Sequence, residues 1–140
     1  MTSYTPAEHQ AHAHLLQTVH ANLEHTALWT SLTAHTTSTY PRPLLSGVPP
    51  APIYVDPDAD PNVPLPAAST QREWVLPVDL REKWSPKKMA QVFDSLPAGD
   101  WGVDAKGGLR KKRLLLAVVA EDSTVVYYFV HDGVVKPRQN

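Results

Sequence analysis

Four histidines, His9, His12, His14 and His20, crowd the first twenty residues. Imidazole is the commonest metal ligand and the usual acid–base group near neutral pH. On one helix His9 approaches His12, while His14 points elsewhere, because a His-x-His pair does not place two ligands on one helical face. No Asp or Glu cluster completes a metal shell, so the four read as a solvated helix face. His131-Asp132 pairs an imidazole with a carboxylate near the C-terminus. An acid–base role is one reading; a strand-end turn, His131-Asp132-Gly133, is the other, since Asp-Gly favours turns.

The densest charge is Arg110-Lys111-Lys112-Arg113. Four adjacent cations can steer or contact phosphates. The same run can serve as a solvated loop that keeps a hydrophobic strand soluble. Lys106 with Gly107-Gly108 does not make a phosphate loop, because the GxxxxGK[ST] pattern is absent. No GxSxG elbow, zinc finger or dinucleotide fingerprint occurs either. With no cysteine in 140 residues, disulfides, thiolate nucleophiles and cysteine-ligated metals are excluded. The opposite charge, Glu121-Asp122, sits between two very apolar runs. It is either ordinary turn chemistry or an acidic plug for a basic pocket on a partner.

The elements that must carry these groups begin with a helix. Thr5-Pro6-Ala7-Glu8 reads as an N-cap, an N1 proline and a capping-box glutamate. Leu15, Leu16, Val19 and Leu23 follow at helical spacing, and the helix should end between Leu23 and Trp29. The Thr-rich segment from Trp29 to Thr39 reads as a strand on a sheet edge. The prolines of residues 41–70 remove amide donors and bias their neighbours against helix. Most of that stretch is therefore expected to be a surface excursion, with Ile53-Tyr54-Val55 as one short strand inside it. Glu73 to Val78 is apolar enough for a strand. Ser85-Pro86 repeats the cap-plus-proline start, and Met89, Val92, Phe93 and Leu96 form an amphipathic helix stopped by Pro97 and Gly99. Residues 98–109 read as a loop. Leu114 to Val119 and Val125 to Val130 are apolar runs joined by the turn Glu121-Asp122-Ser123, which predicts a hairpin. Runs without alternation suggest strands covered on both faces. One face is left for the chain's own helices and the other for the excursion or a partner.

The length suits one domain with a modest core. Hydrophobic residues make up 42% of the chain and prolines number 14. No run of eighteen apolar residues is present, so no membrane span is expected. The N-terminus lacks the basic start and apolar core of a signal peptide, and the arginines of a mitochondrial presequence. The net charge of -1 hides an asymmetry. Residues 1–70 hold one basic residue, Arg42, against five acidic, and residues 71–140 hold twelve basic against nine acidic. The second half is the one suited to a polyanion.

Two segments, REKWSPKKMAQVFDSL and KKRLLLAVVAEDSTVVYYFVHDGVVKPRQN, resemble the smallest structural, non-catalytic subunits of the eukaryotic tRNA-splicing endonuclease in their fungal form. The resemblance covers roughly residues 7–140, leaving 1–6 as a flexible N-terminus and 41–70 as a proline-rich excursion. It implies a single small α/β domain like the C-terminal domain of tRNA-intron endonucleases. A mixed central sheet is flanked by helices and ends in the apolar hairpin. It also implies a heterotetramer of two catalytic and two structural subunits that cuts pre-tRNA at both intron boundaries without a metal or cofactor. The catalytic subunits of the family use a Tyr/His/Lys triad: Tyr activates the attacking hydroxyl, His protonates the leaving oxygen and Lys stabilises the charged phosphate. Lys111 or Lys112 falls near the position of that lysine. His35, Tyr40 and Tyr54 lie in the region that should carry the others, but its proline-rich sequence does not reproduce the motif. The resemblance therefore implies a subunit with no catalytic residues of its own.

The family further places an acidic loop, here Glu121 and Asp122, in a basic pocket of the opposing pair. Its last strand, here Thr124 to Val130 with Val126, Tyr127, Tyr128, Phe129 and Val130, pairs with the equivalent strand of a neighbour. That neighbour is the smaller catalytic subunit. The other subunits are met in the complex, and pre-tRNA through it, with Arg110, Lys111, Lys112 and Arg113 as the RNA contacts to consider. Alone, the chain should dimerise with itself or behave poorly in solution. The family works in the nucleus, or on the cytoplasmic face of the mitochondrial outer membrane in some fungi. Two alternatives stay open: an RNA-binding module using 110–113, and a metal-independent nuclease active by itself with His35 or His131 as acid.

Overall fold

Helix α1 (Pro6–Ala21) runs straight into a π-helical turn (Asn22–Thr26), inside the window expected for its end. The computed structural model describes residues 6–51, 72–97 and 112–131. The expected cap at Thr5, the strand at Ile53 to Val55, the loop 98–109 and the tail 132–140 lie outside them. Leu15, Val19 and Leu23, spaced four apart, bury one stripe of this helix. The chain leaves it through Leu28, whose φ of 61° is left-handed backbone, and the Trp29 amide closes the turn on the Leu23 carbonyl at 2.8 Å.

Five strands follow: β1 (Thr30–His35), β2 (Leu44–Val48), β3 (Glu73–Asp79), β4 (Arg113–Val119) and β5 (Val125–His131). They form one sheet in sequence order. β3 and β4 are parallel and the other neighbours antiparallel, so the sheet is mixed. Helix α2 (Pro86–Ser95) lies in the crossover between the two parallel strands. Its N-cap is Ser85, whose hydroxyl accepts from the Lys88 amide at 3.2 Å, with Pro86 at the first helical position.

The two helices cover opposite faces. Leu15, Val19, Leu23 and Trp29 pack on Leu45, Val75, Leu115, Ala117 and Val119. Val92, Phe93 and Leu96 of the α2 segment pack on Leu44, Trp74, Leu76, Val78 and Leu114. β4 is therefore covered on both faces, as its unbroken apolar run predicts. Each fully buried leucine, such as Leu44, Leu45 or Leu76, contributes roughly 1.5–3 kcal/mol of transfer free energy.

β2 corrects the expectation for residues 41–70. Leu44 and Leu45 have no exposure, and the strand sits between β1 and β3, inside the sheet. The prolines of this stretch, Pro41, Pro43, Pro49 and Pro50, flank the strand without entering it. Gly47 lets its neighbours approach closely there: an added Cβ would lie 2.6 Å from Leu32 Cδ2 and 3.2 Å from Trp29 Cε3, so that the Leu32 side chain would have to shift. Pro77 does lie within a strand, but beyond the last β2–β3 pair, Leu45↔Val75. Its missing N–H thus costs no ladder bond, and its carbonyl accepts from Arg42 Nη2 at 3.1 Å in place of a strand partner.

Candidate functional site

The hairpin carries most of the residues singled out by sequence. β5 pairs with β4 from Arg113↔His131 to Val119↔Val125. Its far edge meets no other strand among the described residues, because β5 is outermost in the sheet. A strand edge of this kind offers a row of backbone donors and acceptors to another chain.

Alternation divides the side chains of β5 into two sets. Val125, Tyr127 and Phe129 face α1 and pack against its cluster. The Tyr127 hydroxyl donates to Asn22 Oδ1 in the π turn, and burial pushes its pKa up to about 12. Val126 and Tyr128 face the α2 side but lie beyond the cover of that helix, at 45% and 57% exposure. Val130, in the same row, is half-buried against the α2 cluster. Of the five hairpin residues expected at an interface, Tyr127 and Phe129 are thus spent on the chain's own core. The outward row is Val126 and Tyr128.

The turn at Glu121 and Asp122 projects from the end of this hairpin, with Ser123 at a φ of 69°. The Asp122 side chain accepts from the Thr124 amide at 3.1 Å; the Thr124 side chain, and secondarily that amide, hold its carboxyl below the usual carboxylate range. Glu121 lies 3.4 Å from the Arg81 guanidinium, which also binds Asp79 at 3.2 Å. All three are surface contacts of small energetic weight.

The basic run is not a uniform phosphate surface. Arg110 and Lys111 lie outside the described residues. Lys112 Nζ donates to the Phe93 and Leu96 carbonyls, both at 3.0 Å, and so closes the C-terminal end of α2. Arg113 is buried, and its guanidinium grips the buried Glu73 carboxylate through two bonds of 3.1 and 2.7 Å. Adjacent residues on a strand point to opposite faces, so one cation serves each side of the sheet: the half-buried Lys112 at the end of α2, and Arg113 at Glu73. Lys112 and Arg113, expected as possible RNA contacts, are thus both engaged within the domain.

His35 and Tyr40 do come together, on a platform that the sequence did not reveal. The His35 ring lies 4.4 Å from that of Trp74 and 5.5 Å from that of Tyr40. Its Nε2 is 2.8 Å from the buried Ser46 hydroxyl, which accepts from Arg72 Nη1 at 2.9 Å. Burial, and secondarily the Arg72 charge, lower the His35 pKa. A histidine held towards its neutral form against a buried serine organises the sheet edge. His131 lies on β5 with its ring 6.4 Å from that of Phe129. On α1, His20 pairs with Glu24 at 3.4 Å. Among the described residues no three His, Asp or Glu side chains gather as metal ligands.

The lowered His35 pKa fixes a sign. The unfolded chain binds the proton more readily than the folded one, so stability is intact above an unfolded pKa of about 6.5 and falls as pH drops from there towards the lower folded value. His35→Gln keeps a hydrogen-bonding side chain and removes the proton. Its unfolding free energy should change less between pH 7 and pH 5 than that of the parent chain, by urea denaturation. Equal pH dependence in both would contradict the assignment.

Comparison with known proteins adds a second line. A family model described as Sen15 protein matches residues 18–140. A Neurospora crassa protein named "Probable tRNA-splicing endonuclease subunit tsp-1" is 42% identical over 149 residues, covering 90% of this chain and 66% of that protein. The Schizosaccharomyces pombe protein "Probable tRNA-splicing endonuclease subunit sen15" is 35% identical over 102 residues, covering 71% and 62%. An Eremothecium gossypii tRNA-splicing endonuclease subunit is 38% identical over 72 residues, covering 49% and 52%. The matched regions thus span between 52% and 66% of those relatives, less than two thirds of each.

Proposed function

The chain belongs to the Sen15 protein family, and from that premise we propose that it is a non-catalytic structural subunit of a tRNA-splicing endonuclease. It supports intron excision by the catalytic subunits and holds no complete active site. The observation that carries this reading is the outer strand β5: an edge that meets no other strand among the described residues, beside the exposed pair Val126 and Tyr128 and next to the acidic turn Glu121-Asp122. A partner strand added there satisfies the edge and covers both side chains. The direct partner in this reading is the smaller catalytic subunit, and Glu121 and Asp122 dock on the opposing pair.

The state of the basic and aromatic groups supports the non-catalytic part. Lys112 is engaged by the carbonyls at the end of α2, and His35 is held towards its neutral form against Ser46. Co-expression with the smaller catalytic subunit tests the assembly role. A one-to-one pair that survives gel filtration is expected. Separate elution of the two chains would count against it.

A further inference from the structure

The segment Arg81 to Lys88 carries four basic residues in eight positions and one acid, Glu82. The fold separates these charges. Glu82 turns inward, where its carboxylate meets the buried Arg42 guanidinium. Arg81 is occupied by Asp79 and Glu121 and marks the border with the acidic turn. Lys83, Lys87 and Lys88 remain around Trp84, at the start of α2. Lys83 and Lys87 are exposed and make no ion pair among the described residues. Lys88 is held in place: its Nζ donates to the Lys83 carbonyl at 3.0 Å, lies 4.5 Å from the Trp84 ring centroid and stands 3.6 Å from Glu82 Oε2. Its side chain still has 42% of its surface exposed.

We propose that Lys83, Lys87 and Lys88 form a docking surface for the phosphodiester backbone of RNA, separate from the run 110–113. This rests on the reading that the chain works in a complex whose substrate is an RNA. The exposed residues of α2 are Pro86, Lys87, Ala90, Gln91 and Asp94, with no large apolar side chain among them, and the exposed Leu80 lies on the far side of Arg81 in sequence. Protein interfaces need a desolvated apolar centre, whereas lysines contact phosphates as point charges without one. Trp84 adds no base-stacking face, because Arg42, 5.3 Å from its ring centroid, and Lys88 already approach it. The contact is therefore independent of sequence and sensitive to salt.

The test uses the assembled endonuclease, first shown to form with the unaltered chain; failure of that step would sink the proposed function itself. Binding of an intron-containing tRNA is then measured by fluorescence anisotropy across a salt series. Lys83→Glu with Lys87→Glu should weaken binding about tenfold at low salt and reduce the slope of log affinity on log salt by about 1–2. Lys83→Arg with Lys87→Arg should bind as the parent does. Unchanged binding by the glutamate variant overturns the proposal. So does equal loss in the arginine variant. Loss of assembly in the glutamate variant overturns it too, because the surface would then face a protein subunit.

Discussion

Replacing Arg113 with alanine is expected to destabilise the domain by about 3–5 kcal/mol, the usual cost of stranding one member of a buried ion pair. Arg113 and Glu73 have 3% and 4% of their side-chain surface exposed, and they join the first residues of the two parallel strands. Removing the guanidinium leaves the Glu73 carboxylate desolvated with its main partner gone. Domains of this size are stable by about 5–15 kcal/mol, so the single substitution removes a large fraction of the total. Glu73→Leu combined with Arg113→Met should recover most of the loss, because apolar replacements of a buried pair are often neutral or better. Urea unfolding at constant slope reads both effects. A change below about 1 kcal/mol for Arg113→Ala would mean that water reaches the pair, which would reopen Arg113 as an RNA contact.

The second large effect concerns assembly and leaves the fold intact. Val126→Glu with Tyr128→Glu should weaken pairing with the smaller catalytic subunit at least about a hundredfold, since two charges would be buried against a partner strand. The same chain should unfold close to the parent midpoint, because surface substitutions usually change stability within about 0.5 kcal/mol. Tyr127→Phe is the contrast. It removes the hydroxyl bond to Asn22, costs about 0.5–1.5 kcal/mol of stability and leaves pairing unchanged. Analytical ultracentrifugation of the mixed chains measures the first effect and thermal unfolding the second. Equal pairing by the Val126 and Tyr128 variant would remove β5 from the interface. Loss of pairing in Tyr127→Phe would mean that the α1 face is the one covered.

What could be read without coordinates was local. Ser85-Pro86 and the spacing of Met89, Val92, Phe93 and Leu96 specify α2 through contacts within a few residues. The two apolar runs around Glu121 to Ser123 specify the hairpin in the same way. β2 escaped because four flanking prolines outweighed five residues, Leu44 to Val48, whose strand character comes from neighbours on both sides. The intramolecular partners of the charge run were hidden for a related reason. Lys112 and Arg113 are adjacent in sequence but serve opposite faces, and Glu73, the partner of Arg113, is far away in the chain. VVYYFV shows no alternation, so the sequence did not tell which row of the strand would face the core. Only the position of α1 decides that Tyr127 and Phe129 belong to the core while Val126 and Tyr128 are left outside. The lysines around Trp84 did have a signal, four basic residues in eight positions, hidden because the segment reads first as a helix start.

Incubation of an intron-containing tRNA with the chain alone, with the three other subunits, and with all four tests the structural-subunit reading most directly. Excision of the intron only when all four are present is the expected result, with no cleavage by the chain alone. Cleavage by the isolated chain would contradict that reading and return His35, Tyr40 and Lys112 to consideration as an active site. Full activity of the other three without it would contradict the structural role.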